Sequence, residues 1–357
     1  MSFFFLIALC FIITLISILL LIPISHKCGL VDIPGGRKRH FQNTPVIGGF
    51  AMAIGFFVTM LLSPIQWYHF QGIIFGTLVL VILGVIDDLF DLSARIRVIG
   101  QIIVASIAIY FHNEIWNLGT IFLGDPIHLG ELWGYIVTVL AIVGYINAVN
   151  MVDGADGLAG TICFSQVAIL LIFALHHNRT ESDALTYLLV ALFVFLIFNF
   201  PRRTGFWKYK IFMGDVGSTF LGFTIAWFCI SLSQGPHAQA KPVTMLWITG
   251  LPICDLFSVM LRRIQKKKSP FQAGREHLHH IFISAKFNNI ATTIIIGLIS
   301  CAFGGIGLLL EYTKINSGYS FIIFIGVFVT YYLLMRKAWL VKKRLYCIRK
   351  YLLGSRN

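Results

Sequence analysis

Long apolar runs separated by short polar segments make up most of this chain. Eleven runs fall near residues 3–24, 46–64, 67–86, 97–112, 131–148, 158–176, 184–200, 215–233, 242–261, 290–310 and 317–335. Because a transmembrane helix needs about 20 apolar residues, each run predicts one span, although 97–112 is short for one. The pattern predicts an all-α polytopic membrane protein with about eleven transmembrane helices and its chemistry in short loops.

The composition agrees with this pattern. Hydrophobic residues make up 57% of the 357 residues and charged residues 12%, whereas charged residues are about 25% of a typical soluble domain. This excludes a soluble globular protein, a disulfide-stapled secreted domain and a disordered chain. The seven cysteines lack CxxC spacing, which favours unpaired thiols packed as small apolar residues.

The basic residues predict an orientation. If the N-terminus is periplasmic, every Lys and Arg except Arg179, Lys241 and Lys314 falls in a cytoplasmic segment, as the positive-inside rule requires. The C-terminus is then cytoplasmic, and the net charge of +13 faces anionic lipid. No soluble basic domain is present to bind nucleic acid, so we expect no nucleic-acid partner.

We expect one integral-membrane domain over residues 1–335 and a basic cytoplasmic tail over 336–357. The tail mixes basic and apolar residues, which favours an amphipathic helix at the membrane interface, with a frayed tail as the alternative. The segment 115–129 alternates weakly around a Gly-Asp-Pro turn and predicts a small hairpin.

The acidic and histidine residues gather after four of the apolar runs. The four clusters are Asp87 with Asp88, Asp153 with Asp156, Asp215 alone, and Glu276 with His277, His279 and His280. Two spans separate successive clusters, so all four are expected at the cytoplasmic face. Carboxylates close to hydrocarbon are candidates for function.

The adjacent pair Asp87–Asp88 has two interpretations. It is a solvated helix end continued by Asp91, or a site where repulsion between two carboxylates is relieved by a divalent cation or by Arg95 or Arg97. Mg²⁺ is typically held by one or two carboxylates together with substrate phosphates.

The segment NAVNMVDGADGLAG places Asn147, Asn150 and Asp153 three residues apart, close to one helical face. Asp153 and Asp156 are each followed by glycine. These side chains suit hydrogen bonding to a base, a sugar or a hydrated metal, and a helix cap with structural turns is the alternative.

The last two clusters complete the candidate site. In FMGDVGS, Asp215 is either a metal ligand or a helix N-cap, and Phe212 could stack on a base. In GREHLHHIF, Arg275 and the three histidines form a cluster able to grip phosphate. The pattern HLHH is not HExxH, so zinc hydrolase chemistry is not indicated.

Together the clusters predict metal-dependent phosphoryl transfer to or from a lipid. No GxxxxGK[ST] motif is present, which disfavours a primary pump. A transporter or flippase of an anionic lipid-linked sugar is the alternative of a different class, and it predicts ionisable groups at mid-membrane depth. Asp255, shortly after Pro252, is the main such group, and a structural hydrogen bond near a kink explains it more simply.

The motifs DDLFDLSARIR, NAVNMVDGADGLAG, FMGDVGS and REHLHH resemble, in order and spacing, the polyprenyl-phosphate N-acetylhexosamine-1-phosphate transferases. The branch that uses N-acetylglucosamine and undecaprenyl phosphate in the bacterial inner membrane is most similar. The histidine motif differs from that of the muramoyl-pentapeptide branch. Another UDP-amino sugar and the teichoic-acid linkage reaction stay open as alternatives.

The resemblance implies transfer from UDP-N-acetylglucosamine to undecaprenyl phosphate with release of UMP, as the first membrane step of O-antigen or enterobacterial common antigen synthesis. It implies Mg²⁺, with Mn²⁺ as a substitute, and leaves a homodimer open. The implied residues are Asp87, Asp88 and Asp156 for catalysis; Asp215, Asp87 and Asp88 for metal; Asn150, Asp153 and Phe212 for uridine; and Arg275, His277, His279 and His280 for phosphate and sugar. Some relatives carry Lys where this chain has Asp91, so Arg95 or Arg97 is expected to replace it.

Overall fold

The computed structural model describes residues 2–32, 43–65, 67–122, 124–175, 179–200, 209–236, 238–270, 274 and 276–353. Most of this chain is helical. The helices are α1 (Phe3–Cys28), α2 (Gly48–Leu62), α3 (Gln71–Phe90), α4 (Ala94–Tyr110), α5 (Glu131–Val152), α6 (Leu158–Ala174), α7 (Arg179–Asn199), α8 (Gly214–Ser233), α9 (Pro242–Ile248), α10 (Gly250–Gln265), α11 (Leu278–Ser284), α12 (Asn289–Tyr312), α13 (Ser317–Arg336) and α14 (Ala338–Leu353). Strands β1 (Val31–Asp32) and β2 (Thr44–Pro45) pair antiparallel.

Every predicted apolar run corresponds to a helix, or to the pair α9 and α10, which is bent by 76°. Within the described chain, seven helices are long and apolar enough to cross a membrane, or eight if the bent pair is one span. Helices α2, α4 and α6 have 15, 17 and 17 residues, fewer than the usual ~20. The protein is therefore a multi-pass membrane protein, whereas the count of eleven spans and the orientation stay predictions.

Helix α8 lies at the centre of the bundle, with 94% of its most apolar stretch buried. Its neighbours approach it through small residues. A Cβ on Gly49 of α2 would lie 2.2 Å from the backbone nitrogen of Gly217, and a Cβ on Gly84 of α3 would lie 2.7 Å from Cγ2 of Val216. Such close backbone packing is typical of helices in membranes. It places Asp215, in the first turn of α8, next to the ends of the neighbouring helices.

A second apolar core joins α9 and α10 to α12 and α13. Trp247 packs on Phe303 and Phe324, with its ring centroid 6.2 and 5.3 Å from theirs. Helix α11, which carries two of the histidines, packs against α12 and α14 at the edge of this core. The histidines therefore belong to a different packing unit from Asp215.

Two smaller predictions are confirmed in the described chain. The tail is helical as α14, although its place at a membrane interface stays a prediction. The segment 115–129 forms a small hairpin, in which Asn117 and His128 make an antiparallel bridge.

Candidate active site

A cavity of about 430 Å³ lies where α3 and α5 end and α8 begins. It is lined by Asp32, Val46, Asp88, Asp153, Gly154, Ala155, Asp156, Asn199, Phe212, Met213, Gly214 and Asp215. Five of these residues are aspartates, and four belong to the clusters that the sequence analysis singled out. The expected meeting of the three aspartate clusters at one face of the bundle is therefore confirmed.

Asp215 enters the cavity from the first turn of α8. Gly214 before it has a φ of 74°, and a Cβ there would lie 2.5 Å from Cγ1 of Val46, so glycine is required. Asn150 Nδ2 donates to Asp215 Oδ1 at 2.7 Å and lies 2.9 Å from Ser218 Oγ. Asn150, predicted as a uridine ligand, thus orients the Asp215 carboxylate in this structure.

Asp87 and Asp88 face Asp215 from the end of α3. Asp87 accepts the backbone N–H of Leu92 at 2.8 Å and pairs with Arg97 at 3.3 Å. Its carboxylate also faces that of Asp215, while the Asp88 carboxylate faces the backbone N–H of Asp215. Among the described residues, the expected basic neighbour of the aspartate pair is therefore Arg97 rather than Arg95.

Asp153 and Asp156 occupy the turn between α5 and α6. Desolvation, together with the negative charges of Asp215, Asp156 and Asp88, raises the pKa of Asp153 to about 7. Asp156 pairs with Lys210 Nζ at 2.7 Å. The sequence analysis used Lys210 only to predict the orientation of the chain. Its position five residues before Asp215 was the sequence feature that could have linked it to the site.

Asn199 links this turn to the segment before Asp215. Its Oδ1 accepts the backbone N–H of Gly157 at 2.8 Å, and its Nδ2 donates to the carbonyl of Ile211 at 2.8 Å. Asn199 and Asp32 are the two polar lining residues that the sequence analysis missed. Neither belongs to a motif with repeated spacing, so no local pattern singled them out.

Phe212 lies beside the aspartates at the cavity wall. It forms a parallel bridge with Val46, and the Lys210 ammonium lies 4.9 Å from its ring centroid. A half-buried ring between a cation and an acidic cavity suits stacking on a base, as the sequence predicted.

The histidine cluster meets the aspartates at Gly154. A Cβ on Gly154 would lie 2.4 Å from His279 Nε2, so the imidazole sits directly against the Asp153–Asp156 turn. Burial, with a smaller effect of His280, lowers the pKa of His279 to about 3, so this ring is neutral near neutral pH. His277 Nδ1 lies 2.7 Å from Asp255 Oδ2. The predicted phosphate ligand Arg275 lies outside the described residues.

The donor set suits a hard cation that also binds substrate oxygens. Among the described residues, no three His, Cys, Asp or Glu side chains converge closely enough to hold a metal by themselves. Asp87 and Asp215 nevertheless present facing carboxylates. Mg²⁺ commonly takes one or two carboxylates and completes its shell with water and phosphates, so these residues fit it.

Comparison with known proteins agrees with this site. Residues 70–233, which include all the predicted aspartates, match glycosyl transferase family 4. Over 337 residues, 94% of this chain and 91% of the relative, the chain is 33% identical to the undecaprenyl-phosphate alpha-N-acetylglucosaminyl 1-phosphate transferase of Escherichia coli (strain K12). This chain belongs to the family of polyprenyl-phosphate sugar-1-phosphate transferases.

Other members of the family match over similar lengths. The enzymes of the same name from Salmonella typhi and Haemophilus influenzae are 32% and 34% identical, over 97% and 92% of this chain and 95% and 92% of the relatives. The match extends through the histidine motif and the bent pair α9 and α10. The resemblance expected from four short motifs therefore holds for nearly the whole chain.

Proposed function

We propose that this enzyme transfers N-acetylglucosamine-1-phosphate from UDP-N-acetylglucosamine to undecaprenyl phosphate and releases UMP. The observation that carries the proposal is the set of facing carboxylates around Asp215, at the ends of apolar helices. The names of the relatives, which match over more than nine-tenths of this chain, support the acceptor and the sugar.

The reaction is a single phosphoryl transfer. An oxygen of the lipid phosphate attacks the β-phosphorus of the nucleotide sugar, and the bond from that phosphorus to the bridging oxygen breaks. The bridging oxygen leaves with UMP. The lipid phosphate is largely ionised at neutral pH, so Asp88 is needed chiefly to orient it. Asp156, which pairs with Lys210, would organise the opposite wall of the cavity.

Asp215, with Asp87 and Asp88, would hold Mg²⁺, for which Mn²⁺ could substitute. The bound cation would neutralise charge that develops on the diphosphate. Asn150 holds the Asp215 carboxylate in place at 2.7 Å, and Arg97 offsets part of the Asp87 charge at 3.3 Å. The protein therefore orients the Asp215 and Asp87 carboxylates before the substrates bind.

The remaining predicted residues divide between the two ends of the nucleotide sugar. Phe212 and Asp153 line the cavity and would bind the uridine, with Asn150 beside them. His277, His279, His280 and Arg275 would bind the phosphates and the sugar. His279 is neutral and buried, which suits a hydrogen bond to a sugar hydroxyl better than an ion pair.

The cellular setting is proposed on the same grounds. The enzyme would lie in the bacterial inner membrane with its site facing the cytoplasm, where UDP-sugars are made. It would start O-antigen or enterobacterial common antigen synthesis, with teichoic-acid linkage as the alternative. A homodimer stays a prediction.

Purified protein in detergent tests the proposal directly. UMP release is followed with undecaprenyl phosphate, Mg²⁺ and a panel of UDP-sugars. We expect release only with UDP-N-acetylglucosamine and only with the lipid. Release with another UDP-sugar would move the enzyme to another branch, and no release from folded protein with any donor would favour the transporter alternative.

A further inference from the structure

Asp255 lies in α10 shortly after the bend, and only 3% of its surface is exposed. Its carboxylate accepts three hydrogen bonds. Oδ2 lies 2.7 Å from His277 Nδ1, while Oδ1 accepts the backbone N–H of Leu278 at 3.1 Å and the Tyr331 hydroxyl at 2.7 Å. The carboxylate therefore joins α10, the start of α11 and α13 at one point. A structural hydrogen bond near a kink, the simpler explanation from the sequence, describes only part of this arrangement.

The contact with Asp255 determines the state of the His277 ring. A carboxylate at Nδ1 keeps the proton on that nitrogen and so fixes the tautomer of the ring. Nε2 is then the nitrogen left for another ligand. Carboxylate–imidazole pairs of this kind orient histidines that bind metals or act in catalysis, and their loss typically reduces activity about 10–100-fold.

The same carboxylate positions the helix that reaches the aspartate cavity. His277 is the N-cap residue of α11 and Leu278 its first residue, so Asp255 fixes where α11 begins. Two residues after His277, His279 touches Gly154. The His277 and His279 rings are nearly parallel, with an interplanar angle of 8° and centroids 6.0 Å apart. His279 Nε2 is buried and has no hydrogen-bond partner within the described chain.

We propose that Asp255 is a positioning residue of the transfer reaction, which holds His277 with Nδ1 protonated so that Nε2 accepts a hydrogen bond from a hydroxyl of the nucleotide sugar. This inference rests on the proposed function. Its chemical basis is that an imidazole with its proton on Nδ1 has a lone pair on Nε2, which accepts a hydrogen bond from a hydroxyl group.

Few ionisable groups of the described chain lie close to His277. Apart from Asp255, the ionisable groups of the described chain that act on this cluster are Tyr331 from α13, His279 and His280 from α11, and Cys254 and Arg262 from α10. Arg262 donates to the backbone carbonyls of Met335 and Glu276. Of these groups, Asp255 alone is an anion in contact with the His277 ring.

The test replaces Asp255 by Asn. The amide oxygen can still accept from Leu278 and Tyr331, whereas the amide nitrogen donates to His277 Nδ1 and forces the ring proton onto Nε2 without a counter-charge. We expect kcat/KM for UDP-N-acetylglucosamine to fall about 10–100-fold at neutral pH. Because Nε2 then carries the ring proton and no longer accepts a hydrogen bond, the histidine ¹⁵N signals of the variant should show the proton of His277 on Nε2.

Tyr331→Phe is the matched control. It removes one of the three donors to the same carboxylate and leaves the His277 contact intact. We expect a small loss of thermal stability, a kcat/KM close to that of wild type and the His277 proton still on Nδ1. If both variants lose stability and kcat/KM to the same extent, Asp255 is only a structural brace and the proposal fails.

A double-mutant cycle and a spectroscopic readout complete the test. If Asp255 acts through His277, Asp255→Asn should cost little further activity in a His277→Gln background, and full additivity would contradict the proposal. Histidine ¹⁵N signals of the wild-type protein, assigned with His277→Gln, should show Nδ1 protonated, a result that does not depend on the folding of Asp255→Asn. A wild-type enzyme that releases no UMP refutes the proposed function, whereas an active wild type with an unaffected Asp255→Asn refutes this inference alone.

Discussion

The two halves of the candidate site differ in how well their charges are balanced. In the aspartate half, the carboxylates of Asp87 and Asp215 face each other, and one arginine, Arg97, pairs with Asp87. In the histidine half, the Asp255 carboxylate is surrounded by three donors. The first half carries negative charges that a cation can neutralise, whereas the Asp255 carboxylate of the second half already has its hydrogen-bond donors.

This difference has an energetic consequence. Facing carboxylates repel, and burial makes the repulsion stronger. The close glycine contacts around α8 hold these groups together despite that repulsion. A divalent cation should therefore stabilise the aspartate half more than the histidine half, and the predictions below separate the two.

Removal of the metal should have the largest effect. We expect EDTA to abolish UMP release and Mg²⁺ or Mn²⁺ to restore it, because a cation held by the facing carboxylates would neutralise charge on the diphosphate. Mg²⁺ should also raise the midpoint of thermal unfolding, since it binds the folded state. Full activity after exhaustive chelation would contradict the assignment.

Asp215→Asn should come next, with a loss of several kcal/mol of transition-state stabilisation, or about 10³-fold in rate. The variant keeps the side-chain shape, and one repelling charge is removed, so the protein should stay folded. It should also lose the rise in thermal stability on addition of Mg²⁺. Asp125→Asn, in the hairpin at the other end of the bundle, is the control and should behave as wild type. Wild-type turnover in Asp215→Asn would remove this residue from the site.

Gly154→Ala breaks the contact between the two halves. A Cβ there would lie 2.4 Å from His279 Nε2, so the imidazole or the turn must move. A displacement near 1 Å can reduce a rate about 10²-fold, and we expect a loss of between about 10- and 100-fold in kcat/KM. Gly144→Ala is the matched control, since a Cβ on that residue of α5 has no neighbour within 4 Å. Equal activity of both variants would show that the halves work without this contact.

The comparison also shows what the sequence could and could not predict. The aspartate half was predictable because its residues follow apolar runs at regular separations, so counting spans brings Asp88, Asp153 and Asp215 together. Their partners were not predictable. Asn199 lies at the end of α7 outside any motif, and its two hydrogen bonds depend on how α6 and α8 pack around it.

The histidine half shows a second limit of sequence-based prediction, which concerns the direction of a helix bend. The motif was visible, but the role of Asp255 depends on the bend of 76° between α9 and α10, which brings α10 alongside the start of α11. Pro252 indicated a kink without its direction. The number of spans was not predictable for a related reason, since helix length alone does not distinguish a short span from a buried helix.

The smallest predicted effect is on stability in acid, and it has opposite signs in the two halves. The folded-state pKa of His279 is about 3 against about 6.5 when unfolded, so the unfolded state binds more protons and stability falls as the pH drops below about 6.5. The folded-state pKa of Asp153 is about 7 against about 3.9 when unfolded. Between these two values the folded state binds more protons at this group than the unfolded state does. Protonation of Asp153 therefore increases stability as the pH falls from about 7.

Thermal unfolding of metal-free protein between about pH 7 and pH 5 measures both effects, which amount to at most about 1.4 kcal/mol per pH unit each. His279→Gln should reduce the loss of stability in acid, and Asp153→Asn should increase it. His128→Gln, an exposed histidine in the hairpin, should leave the wild-type dependence unchanged. If His279→Gln and Asp153→Asn shift the pH dependence of stability in the same direction, the two halves do not differ in charge balance as the structure indicates. Opposite shifts are expected because folding disfavours the proton on His279 and favours the proton on Asp153.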